Sequence, residues 1–326
     1  MPTKSTVRGS RLGAAAVLGA SLLLAASPAP AQQQEQADWY PSKYGADDEI
    51  GAANLLSPEL VKKAAGLITE GKTYPLGIPV DRSTPAFPPR SLSVTVLQPG
   101  QAHGATFGEN RMSYNDDIFM GWLGIGSQID GLGHLGIDGR YYNGNEAADF
   151  ASATGLTKMG IEKIPPIVTR GVLIDMAGFK GVEMMEEGDP ITAEDVQRAA
   201  EQQGVTIEEG DVVLFHTGWL DMLGQDSQRY AAGEPGITVD AAEWLAEQGV
   251  VAVGADTWGV EVVPFVDPNR MWEAHQVLLA KNGVYILETM NTGPLVEDGV
   301  KEFMFVLGQP LYTGAVQAII NPVAIR

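Results

Sequence analysis

Val212-Val213-Leu214-Phe215-His216 decides the fold class. Its apolar residues run together without alternation, the mark of a strand buried inside a sheet. Helical segments flank it on both sides. Thr192 is placed to cap a helix that Gly204 ends, and Thr238 to cap one that Gly249 ends. The rhythm extends in both directions, with a short buried strand at 171–175 and another at 250–254. A helix at 269–282 stops at Gly283, and a strand at 284–287 leads into Glu288. Apolar runs at 303–307 and 315–320 close the chain. Strands alternating with helices indicate an α/β fold with a mixed sheet. Nearer the start, Ser57-Pro58-Glu59 opens a helix with its stop at Gly71. A loop follows at 84–89, a strand at 91–97, and a polar loop or lid at 101–117. No internal repeat or linker divides the body.

Composition narrows the function classes. The 326 residues carry a formal charge of −20. Such an acidic body disfavours nucleic acid and anionic membranes as partners. Residues 1–31 read as a secretory signal peptide. Lys4, Arg8 and Arg11 form a basic start, an apolar run follows, and Ala29-Pro30-Ala31 supplies a small-residue cleavage site. The apolar run is short for a membrane span. The expected mature chain, 32–326, is a single catalytic domain, periplasmic or secreted, with no membrane partner after cleavage. The chain has no cysteine. Disulfides are therefore excluded, and any metal site must use oxygen and nitrogen ligands.

The chemistry concentrates in Gly126-Ser127-Gln128-Ile129-Asp130-Gly131-Leu132-Gly133-His134. In an extended strand Gln128 and Asp130 face one side, with His134 just beyond. The spacing Gly131-x-Gly133-x-x-Gly136 matches a dinucleotide fingerprint only literally. Ile137-Asp138-Gly139 follows it, a turn where phosphate binding needs a helix N-terminus. No Gly-x-Ser-x-Gly elbow and no thiol is present, so a nucleophilic hydrolase signature is lacking. Asp130, His275 and Glu288 form the best candidate metal set, because a helix–strand return brings the last two to one end of a sheet. Carboxylates with imidazole suit Zn²⁺, Mn²⁺ or Fe²⁺. Each residue alone also has an ordinary reading: a turn aspartate, a helix histidine and a strand-end charge. His216, before Thr217-Gly218-Trp219, reads either as a pocket or ligand-orienting residue or as a buried histidine bonded to backbone. Asp256 is a further candidate behind the ligands. Trp122, Trp219 and Trp258 each sit near a motif, as walls of an aromatic pocket or as core. His103 reads as a surface-loop residue.

These segments together resemble the metal-dependent cyclase family that includes bacterial kynurenine formamidase and isatin hydrolase. That family carries H-x-G-T-H-x-D-x-P-x-H, and the chain reads Gly124-Ile125-Gly126-Ser127-Gln128-Ile129-Asp130-Gly131-Leu132-Gly133-His134 in its place. Similarity extends to Gly45-Ala46-Asp47-Asp48-Glu49-Ile50-Gly51-Ala52-Ala53-Asn54, Tyr142-Asn143-Gly144, Gly254-Ala255-Asp256-Thr257 and His275-Gln276-Val277-Leu278-Leu279. The resemblance implies a swivelling β/β/α fold, a homodimer or homotetramer, and a bound divalent metal. It implies hydrolysis of an amide C–N bond in a small molecule, either an aryl formamide or a cyclic amide. By carry-over Asp130, His275 and Glu288 match metal ligands, and His134 matches the proton-transfer histidine.

The departures bear on the metal. The first two signature histidines are Gly124 and Gln128 here. Glycine offers no ligand, and glutamine offers a neutral oxygen that suits harder ions. One ion, Mn²⁺ or Zn²⁺, is therefore the expectation, with Gln128 as a further ligand or a water-positioning group. Two other readings stay open: a lactone-forming or lactone-opening cyclase, and a noncatalytic periplasmic binding protein on the same scaffold.

Overall fold

The strand Val212–His216 lies in the middle of a nine-stranded mixed sheet. The computed structural model describes residues 39–97 and 106–326. The leader assigned to 1–31, the lead-in at 32–38 and His103 lie outside the described residues. The strands used below are β1 (Thr73–Pro75), β2 (Leu92–Leu97), β3 (Asp116–Gly121), β4 (Gln128–Asp130), β5 (Ile167–Asp175) and β6 (Val212–His216). They continue with β7 (Ala252–Ala255), β8 (Tyr285–Glu288), β9 (Glu302–Leu307), β10 (Gln317–Ile319) and β11 (Val323–Ile325). The order across the sheet is β1-β11-β9-β5-β6-β7-β8-β4-β10.

The four central strands, β5 to β8, are parallel, and every other pairing in the sheet is antiparallel. Parallel neighbours need a crossover that returns the chain to the same end. Helices supply each one: α2 (Ala193–Gln203), α3 (Val239–Glu247) and the helix beginning as α4 (Glu273–His275). α2 packs against α3, and α3 against α4. The first helix, α1 (Pro58–Ala65), packs against β5 and β9. Val212 to Phe215 are fully buried, as a strand covered on both faces requires.

The helix boundaries mostly follow local chemistry. Thr192 and Asp195 form a reciprocal capping box, and Gly204 ends α2 in the left-handed region at φ 70°. Thr238 precedes α3 but bonds Asp240 Oδ1 at 2.6 Å rather than a free helix N–H. Two further helix expectations fail. α1 ends at Ala65, well before Gly71, because Gly66 already weakens the helix by about 1 kcal/mol relative to alanine. The helix expected over 269–282 starts only at Glu273. Asp267 Oδ1 accepts from the Asn269 amide at 2.9 Å, an Asx turn that holds the chain out of the helix. After His275 the helix widens into a π-helix, Gln276–Lys281. The polar segment expected as a loop over 101–117 ends inside β3, which pairs with β2 as a separate ribbon. Among the described residues no helix is long and apolar enough to cross a membrane.

One buried ion pair ties the parallel core to its antiparallel flank. Arg170 on β5 donates to Asp211 Oδ1 at 2.9 Å and Oδ2 at 2.6 Å, and reaches Glu302 on β9 at 2.7 Å. Removing one partner leaves a charge stranded in a low-dielectric interior. Asp211→Ala is expected to lower unfolding free energy by about 3 kcal/mol. Urea denaturation of the variant beside wild type checks this, and an unchanged midpoint would contradict it.

Candidate metal centre

Strand register assembles the site. β4 lies between β8 and β10 and is antiparallel to both. Gln128 pairs with Glu288, and Asp130 pairs with Gln317. Residues directly opposite share a face of the sheet, as do residues two apart on one strand. Three short strands thus place Gln128, Asp130, Glu288 and Gln317 on one face, all buried. His275 reaches the same point from α4. One ligand atom from each of Asp130, His275 and Glu288 lies within 4.8 Å of the other two.

Each group is held by a second one. Glu261 Oε2 lies 3.1 Å from His275 Nδ1 and accepts from the His275 backbone amide at 3.2 Å. With Nδ1–H donating to Glu261, the lone pair of Nε2 faces Glu288, whose Oε1 is 3.5 Å away. The Gln317 amide donates to Asp130 Oδ1 at 2.6 Å. Gln128 Nε2 donates to Glu288 Oε2 at 2.5 Å and lies 3.2 Å from Asp130 Oδ1. In this arrangement Gln128 presents N–H donors to the carboxylates and not an oxygen to a cation. Asp130 Oδ2 is buried with no hydrogen-bond partner. His134 Nε2 lies 3.7 Å from that oxygen.

The electrostatics of this cluster call for positive charge. Burial, reinforced by the charge of Asp130, pushes the Glu288 carboxyl up to about 7. Burial works against protonation of His275, but Glu261 and Glu288 overcome it and raise the imidazole to about 9. Burial lowers His134, with His275 and Arg90 adding to the effect and Asp130 opposing it. Two buried carboxylates with one unpaired oxygen are costly unless a cation completes them. Two carboxylates, one imidazole and no thiolate suit a hard or borderline divalent ion. The residues therefore fit a divalent metal. Backbone strain gathers here too: Val260, Trp272 and Thr289 sit at φ 61°, 56° and 55°, each next to or near a residue of the cluster.

A cavity of ≈ 240 Å³ opens onto the cluster, a size for a small molecule rather than a polymer. Phe87, Tyr230, Trp258 and Trp272 wall it. Trp272 packs edge-on to both Trp258, at 5.8 Å, and His275, at 4.8 Å. The other expected site residues lie elsewhere. His216 Nδ1 contacts Thr292 Oγ1 at 2.8 Å and Asp256 Oδ2 at 3.3 Å. Both contacts use the same ring nitrogen. Asp256 also accepts from the Thr217 and Gly218 amides and so fixes the turn after β6. Neither residue is bonded to Asp130, His275 or Glu288. Trp219 is buried in a small satellite core with Met222 and Tyr230. Trp122 is exposed beside the β2–β3 ribbon. Only Trp258 of the three tryptophans lines the cavity.

Sequence reasoning missed Glu261, Gln317, Trp272 and Arg90. Glu261 left one trace, a lone charge among Val260, Val262 and Val263. Gln317 left none, because cross-strand register alone brings it to Asp130. Glu234 was also unmarked. It is fully buried, accepts from the Trp258 amide at 2.6 Å, and leaves Oε1 without a partner. It therefore anchors the loop that carries Trp258. Burial holds its carboxyl well above the usual range, and the charge of Glu288 adds to this.

Comparison with known proteins places this geometry in context. A family model described as "putative cyclase" matches residues 74–262. A crystal structure described as a novel cyclase is 33% identical, with 87% of this chain and 96% of that one covered at a TM-score of 0.79. A structure described as a predicted metal-dependent hydrolase from Bacillus stearothermophilus is 20% identical, covering 78% and 97% at a TM-score of 0.51. Isatin hydrolase A from Ralstonia solanacearum is 20% identical, covering 82% and 97% at a TM-score of 0.57. No curated protein matches the sequence. The mixed sheet and its curl are those of the cyclase fold.

Two outcomes are expected. Glu261→Gln leaves His275 without its carboxylate partner and should weaken divalent-metal affinity by about 10- to 100-fold, read by competition with a chelating dye. Glu234→Gln should be more stable than wild type at neutral pH. The folded-state value of Glu234 lies above its unfolded value, so wild type loses stability as pH rises past the ordinary carboxyl range. The advantage of the variant should therefore grow from pH 4 to pH 7 in thermal melts, and a flat difference would refute the assignment.

Proposed function

The chain belongs to the cyclase family, and on that premise we propose that it is a metal-dependent hydrolase of amide C–N bonds in small aromatic molecules. The observation that carries this reading is the buried Asp130–His275–Glu288 cluster at the floor of an aromatic cavity, with Asp130 Oδ2 unpaired. Hydrolase names among proteins of the same fold support it. The ion is Mn²⁺ or Zn²⁺, and one suffices. Gly124 carries no ligand, and Gln128 holds the carboxylates in place. The leader read at 1–31 puts the enzyme and its substrate outside the cytoplasm.

Asp130, His275 and Glu288 would hold the ion. Bound there, it would supply Lewis-acid polarisation of a carbonyl and a lowered pKa for water. Glu261 keeps the His275 imidazole in the tautomer whose Nε2 is free to ligate. Gln317 and Gln128 restrain the two carboxylates. Trp258, Trp272 and Phe87 place the aromatic part of the substrate and exclude bulk water. His134 stands at the cavity wall beside Asp130. It accepts a proton from the attacking water and returns it to the nitrogen as the C–N bond breaks. One water is consumed, its first proton goes to the nitrogen and its second to solvent as the acid ionises, leaving a carboxylate and an amine.

Asp130→Ala should lose bound metal, measured by elemental analysis, and should lower turnover at least about 100-fold. The substrates for that assay are N-formylkynurenine, isatin, cyclic imides and lactones, with Mn²⁺ or Zn²⁺ added. Retained activity in metal-free Asp130→Ala protein would end the proposal. A protein that binds these compounds but turns none of them over would be a binder instead.

A further inference from the structure

Among the described residues Arg90 is the one arginine or lysine that lines the cavity. Its Nη1 donates to the Gly124 carbonyl at 2.9 Å. That bond occupies one of the five guanidinium donors and leaves the rest of the planar fork uncommitted by any ion pair among the described residues. Gly124 explains how the guanidinium comes so close to the acidic cluster. A Cβ on Gly124 would lie 2.7 Å from Arg90 Nη1 and 2.6 Å from Gln317 Oε1. Its backbone is not in the left-handed region, so glycine is needed here for room and not for conformation. The missing side chain admits Arg90 and Gln317 to one spot, and Gln317 in turn bonds Asp130 at 2.6 Å. The charge of Arg90 is felt at Glu288 and at His134. A permanent cation beside Gly124 therefore lines the same cavity as Glu288, Trp258 and Trp272.

We propose that Arg90 is the anion-recognition residue of this pocket and receives the carboxylate of an aromatic acid, with the ring against Trp258 and Trp272. The proposal rests on the hydrolase reading and names the residue that recognises the acid group of its ligand. Hydrolysis of an aryl formamide leaves the ring on the amine and releases the acid as formate. Hydrolysis of a cyclic amide fused to the ring leaves a carboxylate on the ring-bearing product. A guanidinium fork beside aromatic walls matches the second product. When the substrate is a cyclic amide, water adds to the acyl carbon, the ring C–N bond breaks, the nitrogen takes one proton, and the new carboxylate stays on the ring-bearing product for Arg90 to hold. Arg90 touches the acyl oxygens as negative charge settles on them.

The test is equilibrium binding of benzoate and of its neutral isostere benzamide, read by calorimetry on the metal-loaded protein and again after chelation. Wild type should prefer benzoate. Arg90→Gln should lose about tenfold or more in benzoate affinity in both forms and leave benzamide unchanged. Arg90→Lys should recover part of the loss. Gly124→Ala displaces the guanidinium without removing it and should also weaken benzoate. Equal benzoate affinity in wild type and Arg90→Gln overturns the proposal, as does a parallel loss of benzamide or no benzoate preference in wild type. Thermal melts of each variant separate a folding defect from a binding defect. The readout needs no turnover. A benzoate preference that depends on Arg90 in a protein inactive on every amide would retire the hydrolase reading and keep the anion site. Turnover with an unaltered benzoate preference in Arg90→Gln would do the reverse.

Discussion

Two carboxylates buried side by side are the constraint on which the rest of the site depends. Asp130 and Glu288 lie on adjacent antiparallel strands, two residue pairs apart in register. Buried, their charges repel at close range in a low dielectric, and the chain tolerates them only with partners at almost every oxygen. Gln317 and Gln128 supply donors from the same sheet face. His275 supplies a third group, raised in basicity by the carboxylates that surround it. The one oxygen still bare, Asp130 Oδ2, points the cluster toward a cation.

The sheet is built so that this cluster sits at an edge of the parallel core. Helical crossovers deliver β5 to β8 in parallel, and they carry His275 in on the last crossover. β4 then joins antiparallel, which makes cross-strand pairs of residues far apart in sequence. The loops around this junction carry the strain. Val260, Trp272 and Thr289 all hold positive φ, a conformation that β-branched and aromatic residues adopt only where packing forces it. Glu234 and Glu261 are the buried acids that pin those loops, one through the Trp258 amide and the other through His275.

Gly124 and Gln128, where the chain departs from the signature it resembles, now have separate physical meanings. Gln128 carries hydrogen-bond donors to the acidic pair. Gly124 makes space, and the space is taken by the Arg90 guanidinium and the Gln317 amide. Both changes place neutral or positive groups around one acidic centre.

The sequence by itself determined the elements and the donors. Unbroken apolar runs marked β5, β6, β7 and β8, and Thr192 with Gly204 bounded α2, because burial and capping are local physics that short segments carry whole. Asp130, His275 and Glu288 were legible as oxygen and nitrogen donors, and the structure brings them together. The Asx turn at Asp267 and the stop at Gly66 were equally local, but they competed with a helical pattern that hid them. Only the tertiary structure decided which polar groups meet. Gln317 reaches Asp130 through strand register, Glu261 reaches His275 through a strained loop, and Arg90 reaches the cavity through a missing Cβ. The same contacts send His216, Asp256, Trp122 and Trp219 to other places. Register, strain and vacant volume are properties of segments brought together from distant parts of the chain, and no window along the sequence contains them.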